Sequence, residues 1–169
     1  MPITTSLITI PMTDPTAIYR YRESLAAIDA LTVAIAHLDL FTALAASPGD
    51  LAAICRRFSI HPRPALSLCT LLVANGLARW GDDGILHVTD TAREFLVAGS
   101  PFDARPYYAS IADKPGVNDF LTVLRTDHPA NWPGEEGEAD WHAAMRTEAF
   151  AESFTAAMDC RGRVLGPGL

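Results

Sequence analysis

The side chains with the clearest chemical pattern in this 169-residue sequence lie near its carboxyl end, where aromatic residues and methionines recur at helical spacing. Phe150, Phe154 and Met158 follow one another at four-residue steps, which places them on one stripe of a helix. Trp141 and Met145 show the same spacing just before them. Such a stripe can bind a flat aromatic molecule, because rings stack on Phe and Trp and methionine adapts its shape. An ordinary core face has the same pattern, and the spacing leaves both interpretations open.

Other chemistry has little support in the residue pattern. His142 follows Trp141 and is either a contact for a polar group of such a molecule or a half-exposed helix residue. The histidines include no His-x-x-x-His pair, and the cysteines show no Cys-x-x-Cys spacing, so no metal site is predicted. A Gly-x-Ser-x-Gly motif is also absent from the sequence. We therefore predict no catalytic residue in this chain.

Composition limits the class of protein and its partners. Hydrophobic residues make up 49% of the chain and charged residues 20%, which is typical of one globular domain. The amino terminus lacks the basic residues of a signal peptide, and Asp29, His37 and Asp39 interrupt the longest apolar run. The net charge of −7 disfavours binding to nucleic acids, which requires Lys and Arg to neutralise phosphates. We expect a soluble, cytoplasmic protein with no nucleic-acid or membrane partner.

The first helix indicates a homodimer. Its apolar residues recur at steps of three and four with a gap at Thr32, and they form a wide stripe of Ile18, Tyr21, Leu25, Ile28 and Ile35. A stripe this wide has to be covered on more than one side. It is therefore either a central core helix or a helix that packs partly on a second subunit, and we assign these five residues to a dimer interface.

The elements after this helix follow the order of a winged helix. A short helix over Leu40–Ala46 precedes Ser47, which we expect to cap the next helix, with Pro48 in its first turn. Another helix is expected from about 65 to 75, followed by a β-hairpin of residues 77–80 and 85–88. A helix capped by Thr89 or Thr91 follows, with Phe95 facing inward, and further helices are expected near 105–112 and 117–125.

These observations define a fold class and four segments. The fold is mainly all-α, with a winged-helix-like domain, a small β-hairpin wing and extra helices on the carboxyl side. We divide the chain into an extended amino-terminal arm (1–14), a winged-helix dimerisation domain (15–98), a helical extension with an acidic loop (99–138), and carboxyl-terminal helices (139–169), which the family resemblance described next implies to be lid and linker helices that lead to a catalytic domain.

Three stretches together resemble the dimerisation domain of S-adenosylmethionine-dependent small-molecule O-methyltransferases, the group that includes caffeate-type and bacterial polyketide-tailoring enzymes. The first is ALTVAIAHLDLFTAL at 30–44, similar to the family's helix and following turn. The second runs from LLVANGL at 71–77 to VTDTA at 88–92, similar to its recognition-like helix, wing and cap. The third, DWHAAM at 140–145 with FAESFTAAMD at 150–159, resembles the helices that cover its substrate pocket.

The resemblance implies a role in a larger enzyme. The chain would be the dimerisation and substrate-lid domain of an O-methyltransferase that acts on a small aromatic, hydroxylated acceptor. Its lid residues would be Trp141, His142, Met145, Phe150, Phe154 and Met158. In this family the glycine-rich cofactor loop and the catalytic histidine lie in a Rossmann-like domain that follows the dimerisation domain. Gly166 and Gly168 do not have the pattern of that cofactor loop, because they do not follow a buried strand. We therefore expect S-adenosylmethionine in the full-length protein, no cofactor in this chain and no activity of this chain alone.

Two other functions are compatible with the same fold. A winged helix can be a DNA-binding transcription regulator, but residues 64–76 contain no Lys or Arg, and Asp82 and Asp83 stand at the wing tip, where they would repel phosphate. The third possibility is a free-standing ligand-binding or scaffold protein of this fold.

Overall fold

A computed structural model describes residues 12–130 and 146–165 of the chain. These residues are mostly helical, with one two-stranded antiparallel sheet, which confirms the expected fold class. Residues 22–130 belong to one compact unit, and residues 12–21 and 146–165 belong to another. The elements in chain order are α1 (Thr16–Thr32), a π-helical turn (Val33–His37), α2 (Leu40–Ala46), α3 (Leu51–Phe58), α4 (Pro62–Ala74), β1 (Ala78–Trp80), β2 (Leu86–Val88), α5 (Asp90–Leu96), α6 (Arg105–Ala109), α7 (Pro115–Thr126) and α8 (Glu148–Leu165).

Helix α1 continues into a π-helical turn on which other helices pack. The amide of Leu38 donates to the carbonyl of Val33 at 3.0 Å, five residues earlier. Helices α2, α6 and α7 contact this turn, and the successive residues 32–35 are all buried there. Ile35 is 3% exposed, whereas Ile28 on α1 is 42% exposed. Ile35 therefore belongs to the core of this chain and not to the dimer interface to which the sequence analysis assigned it.

The helices of the winged-helix region begin at different residues from those expected. Asp50, not Ser47, caps α3, because its carboxylate accepts a hydrogen bond from the amide of Ala53 at 2.7 Å. Helix α4 begins at Pro62 rather than near residue 65. Proline is tolerated in a first helical turn, since the amides there have no partner within the helix. Only residues 59–61 therefore separate α3 from α4.

The wing is a short antiparallel hairpin. Ala78 pairs with Val88, Arg79 with His87, and Trp80 with Leu86. The connection contains Gly84 at a φ of 74°, a left-handed conformation that glycine adopts without strain. The carboxylate of Asp83 accepts a hydrogen bond from the amide of Ile85 within this turn.

Helix α5 is joined to the end of α4 through its cap. The hydroxyl of Thr89 accepts from the amide of Ala92 at 3.3 Å and donates to the carbonyl of Gly76 at 2.8 Å. Thr89 is thus the cap and Thr91 is not. Phe95 was expected to face inward, but it is 40% exposed and contacts Phe102, with ring centroids 6.1 Å apart.

One hydrophobic core connects α2 to α5 and the wing. Helices α6 and α7 pack on the π-helical turn, α7 also packs on α4, and all of these elements belong to the unit of residues 22–130. The largest fully buried hydrophobic side chains are Phe41, Leu40, Leu44, Leu68, Leu72, Leu86, Leu124, Val33 and Val117.

In residues 12–130 and 146–165 no single helix has the length and hydropathy to cross a membrane. The segments Ile18–His37 and Leu40–Ala46 reach those values only when taken together, across a bend of 59°.

Candidate functional site

The carboxyl-terminal aromatic stripe is described in part. Trp141, His142 and Met145 lie outside the described residues, whereas Phe150, Phe154 and Met158 lie on α8. The carbonyl of Thr147 accepts the amide of Ala151 at 3.0 Å, the first hydrogen bond of this helix. The helix therefore begins directly after Thr147.

Two aromatic rings on α8 form a stacked pair. The ring centroids of Phe150 and Phe154 are 6.3 Å apart and the ring planes differ by 9°. Phe150 is 38% exposed and Met158 is 43% exposed, and Phe154 is half-buried. Leu72, in the winged-helix core, is fully buried by comparison. The stripe thus presents apolar and aromatic area that a ligand or another protein surface can cover.

The apolar stripe of α1 is also exposed along most of its length. Ile18 is 73% exposed, Leu25 is 66% exposed and Ile28 is 42% exposed. Tyr21 lies on the same helix, but its side chain is outside the description. Ile35, the fifth predicted member, is enclosed by the chain itself. Three large aliphatic side chains therefore remain uncovered at helical spacing.

Helix α4 corresponds in position to the recognition helix of a DNA-binding winged helix, yet its polar groups are engaged. Because α4 begins at Pro62, it includes Arg63, which the sequence analysis left outside the helix. The guanidinium of Arg63 donates to the carboxylate of Asp127 at 2.9 Å. Thr70 and Asn75 donate to carbonyls of their own helix at 2.8 Å. Arg63 is the one basic residue of α4, and its side chain is 71% exposed, so this helix presents a single basic group where base recognition uses several donors.

The buried thiols are unsuited to nucleophilic chemistry. Burial, with a smaller contribution from the neighbouring Cys55, raises the pKa of Cys69 to about 11, and burial also raises the pKa of Cys55. A thiol that stays protonated is a poor nucleophile and a poor metal ligand. Over residues 12–130 and 146–165, no group of three or more His, Cys, Asp or Glu side chains is arranged to hold a metal ion.

A charged network absent from the sequence analysis joins the start of α2 to α6. The guanidinium of Arg105 donates to Asp103 at 2.7 Å and to Asp39 at 3.0 Å. Asp39 has a left-handed backbone (φ 43°) and also accepts from the hydroxyl of Thr42 at 2.6 Å. Hydrogen bonding from Arg105 lowers the pKa of Asp103, and the same bond raises the pKa of Arg105. These groups fix the start of α2.

The fold resembles that of solved methyltransferases. An O-methyltransferase family 2 protein from Planctomyces limnophilus, solved in complex with apigenin, is 26% identical and superposes with a TM-score of 0.74 over 96% of this chain. A protein named PigF, solved with SAH, is 27% identical over 62% of this chain, with a TM-score of 0.52. Human N-acetylserotonin methyltransferase in complex with SAM is 18% identical over 94% of this chain, with a TM-score of 0.55, a likeness that concerns the fold alone.

The chain spans less than half the length of each of these proteins. It covers 44% of the Planctomyces protein, 30% of PigF and 49% of the human enzyme. No protein-family model and no curated protein sequence matches the chain. The likeness is therefore to part of SAM-dependent O-methyltransferases.

Proposed function

We propose that this chain is the dimerisation and substrate-lid part of an S-adenosylmethionine-dependent O-methyltransferase that acts on a small aromatic, hydroxylated acceptor. The observation that carries the proposal is the superposition on the apigenin-bound Planctomyces protein over 96% of this chain at 26% identity. The winged-helix order of α3, α4, the hairpin and α5 agrees with it. In this proposal methyl transfer takes place in the full-length protein, with S-adenosylmethionine as the cofactor.

The dimerisation role is supported by α1. Leu25 and Ile28, in the unit of residues 22–130, are 66% and 42% exposed and lie three residues apart on α1, so their side chains are neighbours and form an exposed apolar patch. Ile18 on the same helix is 73% exposed. In a two-fold symmetric homodimer the same patch on both subunits covers itself. We assign the interface to these residues together with Tyr21.

The lid role is supported by α8. Phe150 of the stacked ring pair is 38% exposed and offers aromatic area to a flat acceptor. Met158 on the same stripe is 43% exposed, and its flexible side chain adapts to the shape of the acceptor. We assign Phe150, Phe154 and Met158 to the acceptor pocket. Trp141, His142 and Met145 belong to the same proposal on sequence grounds.

This chain contributes no proposed catalytic or cofactor-binding residue. Within the described residues the buried thiols stay protonated and the Arg105 network is internally paired. Methyl transfer to oxygen needs a base beside the acceptor hydroxyl and a site that holds the sulfonium donor, S-adenosylmethionine. In this proposal the remainder of the full-length protein supplies the base and the donor site.

The test is methyl transfer by the complete product of the gene, measured with labelled S-adenosylmethionine and apigenin or simple phenols as acceptors. We expect transfer to an aromatic hydroxyl. Phe154→Ala should raise KM for the acceptor by roughly 5- to 150-fold, the equivalent of about 1–3 kcal/mol of lost stacking and area. Phe102→Ala is the matched control, since Phe102 is an exposed ring outside the stripe. Absence of transfer to every acceptor, or equal effects of both variants, would overturn the proposal.

A further inference from the structure

A cleft lies between the wing and the end of α2, within the unit of residues 22–130. Its volume is about 430 Å³, a size typical of small-molecule sites. The lining residues come from α2, the segment after it, both strands and the first turn of α5: Leu44, Pro48, Arg79, His87, Val88, Thr89, Asp90 and Arg93.

The fold brings three nitrogen-bearing side chains to this cleft. Arg79 and His87 are directly paired across the hairpin, and residues paired in this way project from the same face of the sheet. Arg93 lies one helical turn after the cap residue, with its amide donating to the carbonyl of Thr89 at 2.9 Å. Side chains from the two strands and from the following helix thus line one space.

Both guanidinium groups are available to a ligand. The ion pairs among the described residues involve Arg63 and Arg105, and neither Arg79 nor Arg93 has a carboxylate within ion-pair distance. Asp90 is the one carboxylate in the lining, and its place in the first turn of α5 suits the helix dipole. The cleft therefore carries an excess of positive charge in a protein whose net charge is −7.

The rest of the lining offers little apolar area. Leu44 is fully buried and Val88 is 7% exposed, and the side chain of Val88 lies on the opposite face of the hairpin from that of its neighbour His87. The basic side chains are therefore the main groups that a ligand in the cleft would contact. The acidic wing tip at Asp82 and Asp83 opposes the approach of a duplex phosphate backbone.

From this geometry we infer that the cleft is a binding site for a small organic molecule that carries a carboxylate or phosphate group. Arg79 and Arg93 hold the anionic group by charge-assisted hydrogen bonds, with His87 as a further N–H donor. The site is independent of the proposed methyl-transfer function, since it uses none of the residues assigned to the lid or to the dimer interface.

The experiment is a titration of the whole chain followed by amide and arginine side-chain NMR shifts. The probes are phenyl phosphate and benzoate, which separate the two anionic groups, and benzyl alcohol as the neutral analogue. We expect saturable shifts at residues 87–93 and at Arg79 with at least one anion and none with the alcohol. Arg79→Gln and Arg93→Gln should each weaken binding about tenfold or more, because each removes a charge-assisted contact.

Arg125→Gln is the matched control, with the same loss of charge on an exposed residue of α7 outside the cleft. It should change affinity by less than about twofold, because screening limits the effect of a distant surface charge. Melting curves verify that all three variants are folded. The inference is overturned if Arg125→Gln weakens binding as much as the cleft variants do, or if neither anion shifts the cleft residues. Preferential binding of a short DNA duplex at the same residues would overturn it too.

Discussion

Replacing Leu25 by alanine should weaken the proposed dimer far more than it weakens the fold. The side chain is 66% exposed in the isolated chain. Burying a whole leucine side chain contributes about 1.5–3 kcal/mol, so covering this exposed part contributes about 1–2 kcal/mol. In a two-fold symmetric dimer the substitution acts in both subunits and costs about 2–4 kcal/mol per dimer. The dissociation constant should therefore rise roughly thirty-fold to several hundred-fold.

The assay is sedimentation over a dilution series that spans micromolar concentrations. Leu66→Ala is the control, because Leu66 is 50% exposed on α4, away from the stripe, and should leave the dissociation constant unchanged. The unfolding free energy of Leu25→Ala, compared under conditions where the protein is monomeric, should change by less than about 1 kcal/mol, as for a surface substitution. A wild-type chain that is monomeric throughout the series would refute the reasoning. Equal weakening by both variants would refute the assignment of the interface to α1.

Three further outcomes are expected. Calorimetric titration of the chain with S-adenosylmethionine should give no binding heat, and tight binding would contradict the assignment of the cofactor to another domain. In denaturant unfolding, Leu72→Ala should lower the unfolding free energy by about 2–5 kcal/mol, as for a core leucine. Phe154→Ala should lower it by about 1 kcal/mol, mainly because the ring stack is lost. Equal losses in the two variants would favour a core role for the stripe. Because Arg105 lowers the folded-state pKa of Asp103, that carboxylate stabilises the fold above its unfolded pKa of about 3.9, and the contribution is lost as pH falls through the lower folded value. The Tm difference between wild type and Arg105→Gln should thus shrink below about pH 4, and a pH-independent difference would contradict this.

Elements with strong local signals were predictable from the sequence. The bounds of α2, Leu40–Ala46, agree with the expected helix, and the hairpin forms around its glycine-containing turn. Local signals were less reliable where two residues competed for one role. Ser47 and Asp50 are both residue types that cap helices well. The hydrogen bond that the carboxylate of Asp50 accepts from the amide of Ala53 fixes the start of α3.

The errors in side-chain orientation have a common physical cause. Ile35 continues the periodicity of Ile28, but α2, α6 and α7 pack on the turn at Val33–His37 and bury it. Phe95 was assigned inward because it is large and apolar, yet α5 is short and its core face is already filled by Ala92 and Leu96. Burial depends on what neighbouring elements leave uncovered, and a single helix pattern carries no information about that.

The charged features could not be found from spacing. Arg105 contacts Asp39 across 66 residues, and the cleft arginines lie on a strand and on a helix. Only the i, i+2 relation of Asp103 to Arg105 is visible in the sequence, and it is too common to indicate a network. Such contacts depend on tertiary packing, and this explains why the aromatic stripe was visible from the sequence and the cleft was not.

The central proposal is tested most directly by the nucleotide sequence of the gene beyond the codon for Leu169. We predict an open reading frame that encodes, within about 30 residues, a buried strand, a Gly-x-Gly-type loop and a helix, the pattern of a domain that binds S-adenosylmethionine. A stop codon directly after Leu169 would contradict the proposal, and a free-standing ligand-binding protein of the same fold would then account better for the exposed stripes.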